Sequence, residues 1–429
     1  DAAILEFRYW MDEPGNDVQW YFSENHALLF HTSAYLAGNL LPDARFRRAD
    51  RDGAAQSRVG YERLMSWFDH FETSEMAEFN SGTYFPIDLK GLTALFALAH
   101  DADIRARAKA AIVRLITMVA HSAHHGVITG AQGRSYEHSL CVADTLELTG
   151  LARLLWGQGN FGAHANCLAQ IALALRDYGL DLPDLAEIAN WTRTDAAQEW
   201  TFWQGENAFC RLYHYKTAQT AMGSAALYRW KDWGYQETVI QARIGLEPAA
   251  QLFINHPGEI VQSGFGRPSF WGGSASVPRV QQYRDLAIVR FDGVAPQPDF
   301  THAWFPTQIF DEWSVDQHRA TARHGQGALV VSASGPLELM REGGSAHHEL
   351  RLAGRQGLWV VRLGTTEDLA GFAARHPLTV TEAADGTLAI EDPDYGTVVF
   401  RVDGTVSAEG RVLDPAQWTR EGQRGELPL

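Results

Sequence analysis

The sequence predicts an α+β chain in two parts: an N-terminal, incomplete (α/α) toroid over residues 1–195 and a C-terminal antiparallel β-sandwich over residues 196–429. Three observations carry this expectation. At 429 residues the chain exceeds what one hydrophobic core usually organises. Apolar residues recur with a period near 3.6 up to about Trp191 and near 2 beyond it. Past that point short β-rich runs are separated by Asp-Gly turn signals, with almost no helical stretch among them.

In the first half, Ser23 is a good N-cap residue, and Leu28, Leu29, Tyr35, Leu36 and Leu40 follow at helical spacing until Pro42. Further helices are expected over about 56–71, 88–100, 103–121, 140–155 and 163–175, with a short one after Pro183. In the second half, strands are expected at Leu286 to Phe291, Ala328 to Val331, Leu358 to Leu363 and Val398 to Val402, with turns at Asp292-Gly293, Asp385-Gly386 and Asp403-Gly404. Such a series of short strands reads as a sandwich, and the junction falls between about Asn190 and Gly205.

Composition removes several classes of function. Hydrophobic residues make up 45% and charged residues 21%, an ordinary globular balance. No run approaches the roughly 20 apolar residues that span a bilayer, so no membrane span is expected. A formal net charge of -16 argues against nucleic acid as the main partner. The basic residues are nearly all arginine, which can hold a carboxylate through two parallel hydrogen bonds, so an acidic substrate fits. Cys141, Cys167 and Cys210 have neither disulfide nor metal-ligand spacing and read as buried small hydrophobes. The 14 tryptophans offer flat apolar faces of the kind on which sugars stack.

Helices joined by short connections are usually antiparallel, so alternate loops share one end of the layer. The loops entering the first, third and fifth helices are Phe22 to His26, Glu78 to Tyr84 and Gly130 to His138. They hold the densest polar and aromatic chemistry of the helical half. Asn25 and His26 fall in a first helical turn, where free N–H groups and the helix dipole favour an anion. Tyr84 closes a glycine-bearing loop before Pro86, and Tyr136 stands beside Arg134.

This set suits β-elimination from a uronic acid. The C5 proton becomes removable once the adjacent carboxylate is protonated or held by strong donors, and Asn25, His26 and Arg134 are such donors. A tyrosinate or histidine then takes the proton, and a tyrosine hydroxyl returns one to the leaving oxygen. Neither a metal nor an organic cofactor is required. A helical half followed by a β-sandwich, with an Asn-His pair and a tyrosine one helical hairpin later, resembles the heparinase II/III-like and alginate-lyase-like polysaccharide lyases. The resemblance implies that Asn25 and His26 neutralise the carboxylate and that Tyr84 is base or acid. It also implies a further catalytic histidine early in the β part. The segment that should supply it, Gly234 to Thr238, has none, and His214 and His256 are the nearby candidates. Some members carry a structural zinc, to which His302, His347 and His348 could contribute here, although their spacing matches no zinc signature.

The expected partner is thus an anionic polysaccharide, with Glu24, Glu78, Asn80, His214, His256 and Trp271 as additional binding residues. A secreted or periplasmic setting follows from that substrate, the leader being absent or removed ahead of Asp1. Two other functions use the same loops. A glycoside hydrolase would use two carboxyl groups, Glu24 and Glu78, with Asp88 or Glu137 in reserve. A non-catalytic glycan-binding protein would keep the aromatic mouth and none of the chemistry.

Overall fold

The computed structural model describes residues 2–142, 147–161, 167–295 and 297–429. After a short helix α1 (Ala2–Glu6), four long helices form two successive hairpins: α2 (Glu24–Leu40), α3 (Gly53–Ser74), α4 (Phe85–Leu98) and α5 (Ala102–Ser122). Their starts follow local chemistry. Ser23 precedes α2 in an extended conformation, and Asp52 accepts the Ala55 N–H at 2.8 Å ahead of α3. Pro86 sits in the first turn of α4, where its missing N–H leaves no bond unmade. Gly38 and Gly60 let α2 and α3 touch backbone to backbone. A Cβ on Gly38 would lie 2.4 Å from the Ser57 nitrogen, and one on Gly60 2.5 Å from that of Tyr35. Leu28, Leu64, Phe68, Phe85, Leu89, Leu92 and Leu115 fill the core behind this contact, each burial stabilising by about 1.5–3 kcal/mol.

Among the described residues the other helices of this half are shorter: α6 (Glu137–Cys141), α7 (Glu147–Trp156), α8 (Leu168–Asp177) and α9 (Ala186–Ala189). One helix was expected over 140–155; α6 and α7 occupy that stretch, and residues 143–146 lie outside the described residues. The expected helix start near 163 also lies outside them.

The β half begins with the strand Ala196–Gln204. Among the described residues it holds a nine-stranded and a six-stranded antiparallel sheet. They share one core, with Met222, Leu252, Ile254 and Leu352 from the first against Val289, Val331, Trp359 and Val361 from the second. A five-stranded sheet running from Val380 to Leu413, which holds the strand expected at Val398 to Val402, shares a smaller core with Ile288, Val330 and Val360 of the six-stranded sheet; α10 (Leu369–Arg375), just before it, was not expected. The last strand, Gln423–Pro428, returns to pair with the first, setting Gln423 opposite Thr201.

Hydrogen bonds join the halves at several places. Gln132 and Thr238 exchange backbone hydrogen bonds of 2.8 Å, and the Ser135 N–H donates to the Gln236 carbonyl at 2.8 Å. At the far end of α5, Lys216 of the sandwich donates through Nζ to the Ala120 and Ala123 carbonyls at 2.9 and 2.7 Å. A cation there satisfies carbonyls that a helix C-terminus leaves unpaired. Among the described residues no helix is long and apolar enough to cross a membrane.

Candidate active site

The three polar loops meet. The Glu24 carboxylate, in the first turn of α2, accepts the N–H groups of Ala77 and Glu78 at 2.7 and 3.0 Å. The second and third loops are zipped together. Asn80 donates to the Ala131 carbonyl at 3.1 Å, Gln132 Oε1 accepts the Gly82 N–H at 3.1 Å, and Ser81 Oγ donates to the Arg134 carbonyl at 2.8 Å. Gly133 permits this approach, since a Cβ there would lie 2.6 Å from the Phe79 nitrogen.

The zipper places two phenols and a guanidinium together. The Tyr84 and Tyr136 hydroxyls are 2.8 Å apart, and Arg134 Nη2 donates to the Tyr84 hydroxyl at 3.4 Å. The guanidinium carbon stands 5.2 and 5.8 Å from the two ring centroids, within cation–π range. Arg134 Nη1 also lies 3.7 Å from Glu78 Oε1, which tethers the guanidinium from behind.

Beneath this cluster lie three carboxyl groups. Asp88 is fully buried, and neither of its oxygens has a hydrogen-bond partner. Burial, with Glu24 and Glu78 nearby, pushes it well above the usual carboxylate range. Glu78 is pushed up to about 7 by burial, against the pull of Arg134. Burial also raises Glu24 despite its two N–H partners. Tyr84 is pushed up to about 12 by burial and by its bond to Tyr136, with Arg134 opposing, so its hydroxyl keeps its proton.

His26 is half-buried, with Nδ1 3.1 Å from the Trp20 carbonyl. A carbonyl only accepts, so Nδ1 carries the proton and the Nε2 lone pair is left for another partner. Asn25 is closed to solvent; Ser23 Oγ donates to its Oδ1 at 2.9 Å, and its amide nitrogen has no partner. Leu28, one turn on, lies against Gly91 of α4. Three residues back along both helices, this register sets Asn25 level with Asp88.

Four expected binding residues are corrected. Asn80 is buried and ties Ala131 to Ser122, His214 lies beneath Gly130 and Gly223, and His256 is fully enclosed with Nε2 on the Pro298 carbonyl. Trp271 is also fully enclosed, stacked on His302 at 3.9 Å and bonded to Ser345 through Nε1. A polymer cannot reach any of the four, because all are buried. The three histidines considered for zinc do not gather either. His302 bonds to Glu349, His348 to the Ala346 carbonyl, and among the described residues the one three-ligand grouping is His376, Asp392 and Asp394. There Arg362 already holds both aspartates.

Tyr235 is not among the residues expected at the site. The pairing of Ser135 with Gln236 buries those two residues and leaves Tyr136 and Tyr235 on either side, with Tyr235 49% exposed at the border of the mouth. Trp20, Phe22 and Trp233 are also exposed. Within 234–238 Tyr235 is the one exposed residue, the other four being buried. Surface cavities of about 690 and 580 Å³ lie in the β half and are lined by none of these residues.

Fold and site define a helical toroid joined to a β-sandwich, with a tyrosine–arginine cluster where the two meet. No protein-family model matches the chain, and no curated protein matches it in sequence. Similar solved structures include a chondroitin AC lyase of Streptomyces coelicolor in complex with chondroitin sulphate, 13% identical, covering 95% of this chain and 68% of that one at a TM-score of 0.44. A heparan sulfate lyase from Pedobacter heparinus is 11% identical over 91% of this chain and 65% of that one, at a TM-score of 0.37. A heparinase III is 11% identical over 94% and 66%, at 0.35. The chain thus spans about two thirds of the length of these proteins.

Proposed function

We propose that this chain cleaves a uronic-acid-containing polysaccharide by β-elimination at the mouth formed by His26, Tyr84, Arg134 and Tyr136. The observation that carries the reading is the pair of phenol hydroxyls 2.8 Å apart with one guanidinium against both rings. A positive charge fixed beside two proton-bearing hydroxyls suits a reaction that must stabilise a carboxylate-conjugated anion and protonate a leaving oxygen.

Arg134 holds the uronate carboxylate and spreads the charge that develops as the C5–H bond breaks. The Nε2 lone pair of His26 takes that proton, the C4–C5 double bond forms, and the C4–O bond breaks. Tyr84, protonated up to about pH 12, gives its proton to the departing oxygen and recovers one through Tyr136. Asn25 belongs to the floor of the site rather than its surface. Arg134 supplies the positive charge, so these steps call on neither a metal nor an organic cofactor. Polymers of this class lie outside the cytoplasm, which favours a secreted or periplasmic setting. The hydrolase reading is weaker, because Glu24 is spent on two backbone N–H groups and Glu78 on Arg134.

The test is an incubation with a panel of uronate polymers, following ultraviolet absorbance and reducing ends together. Elimination raises both. Reducing ends without absorbance would replace this reading with hydrolysis, and affinity without any product would leave a glycan-binding protein.

A further inference from the structure

Behind the site, where α5 ends against the sandwich, lies a small interior cavity with room for a single water-sized particle. Its walls come from both halves: His121, Ser122 and Thr129 from the helical side, and Gln198, Trp200, His214, Lys216, Ala221 and Met222 from the strands. His214 and Lys216 alternate along Cys210–Lys216 and so share the face toward α5, where Gln198 and Trp200 oppose them in the register. Glu199 also borders the cavity, but its carboxylate is on the other face, bonded to Tyr213 and Arg411. The cavity therefore faces three basic side chains and no carboxylate. His121 Nε2, His214 Nε2 and Gln198 Oε1 are buried there without a partner.

Charge further out points the same way. Arg114 and Arg424 stand 5.8 and 4.8 Å from the Trp200 ring, and only Arg114 is paired, with Glu75 and Glu421. Lys216 spends two of its three donors on the ends of α5, and the third remains for the cavity. Buried basic groups with no facing carboxylate are held either neutral or by an anion.

We propose that this cavity is a binding site for one small monovalent anion of halide size, held by Lys216, His121 and His214 at the junction of the two halves. The site is independent of the proposed reaction. Binding takes up a proton wherever a neutral Lys216, or a neutral histidine whose hydrogen lies on Nδ1, must become cationic to hold the anion, so affinity rises as pH falls. Burial already pushes Lys216 down to about 7 and His214 down to about 3, so an anion has protonation to restore in both.

The experiment measures melting of the full chain at about pH 6 and constant ionic strength, with sodium bromide replacing sodium gluconate, whose anion is too large to enter. A ligand that binds only the folded state should give a saturable rise of about 2 °C. Crystals soaked in bromide should show one anomalous peak within contact of Lys216 Nζ. Lys216→Met should abolish the halide response. If that variant does not fold, the wild-type anomalous map decides alone. Equal melting in both salts, or a cavity occupied by water under bromide, overturns the proposal.

Discussion

Replacing Tyr84 by Phe removes one oxygen and leaves the ring in place. That oxygen meets Tyr136 at 2.8 Å and Arg134 at 3.4 Å. The second distance is long, so the stability at stake is close to that of a single hydrogen bond, about 1 kcal/mol. Arg134 keeps Glu78, and Tyr136 keeps an approach from water, so neither is stranded. The chemical effect should be much larger. Losing a positioned general acid slows the reaction by about 10²–10⁴, which at 1.36 kcal/mol per decade is ~2.7–5.4 kcal/mol of barrier. The variant should therefore melt within a few degrees of wild type, bind polymer nearly as well, and lose at least 99% of its ultraviolet-detected turnover, to use the lower bound of that estimate. Initial rates with a uronate polymer, a thermal melt and a binding titration separate the three quantities. Turnover within tenfold of wild type, at unchanged KM, would refute the assignment of Tyr84 as proton donor.

Three other outcomes follow from the same geometry. Glu78 holds its proton more tightly folded, at about 7, than unfolded, so its contribution to stability is full below the ordinary carboxylate range and is lost as pH rises toward 7. Glu78→Gln should remove that slope, and parallel melting-pH curves for the two proteins would contradict it. Gly133→Ala forces a methyl group to within 2.6 Å of the Phe79 nitrogen, so it should destabilise by about 1–3 kcal/mol and pull Arg134 off Tyr84, read as lower melting and lower turnover together. Trp271→Ala should cost about 3–5 kcal/mol, as for any large core side chain, while the fraction that remains folded binds polymer as wild type does. A selective loss of polymer affinity there would restore Trp271 as a sugar platform.

Much of this was legible in the chain itself. The 3.6-residue period located α2 to α5 to within a few residues, because each buries one face against its neighbours and the apolar stripe records it. The switch to period 2 near Trp191 lies just ahead of the first strand at Ala196 for the same reason. Alternation of antiparallel helices was enough to place Glu24, Glu78, Tyr84, Arg134 and Tyr136 on loops at one end. It was not enough to say which polar residues would remain uncovered. Asn80, His214, His256 and Trp271 lie in segments as polar or aromatic as those that stay open, and they are buried by partners that arrive from far along the chain.

What the sequence by itself determined was the order of helices and strands and the end of the layer where the chemistry gathers, since both follow from short-range periodicity and connection length. Only the tertiary structure decided that Tyr84, Tyr136 and Arg134 touch, that Asp88 is buried among other carboxyl groups with its pKa pushed up, and that Tyr235 stays exposed beside the buried Gln236. Those facts depend on pairings such as Gln132 with Thr238, more than a hundred residues apart. Burial, and with it every shifted proton in the site, is set by what such distant segments cover.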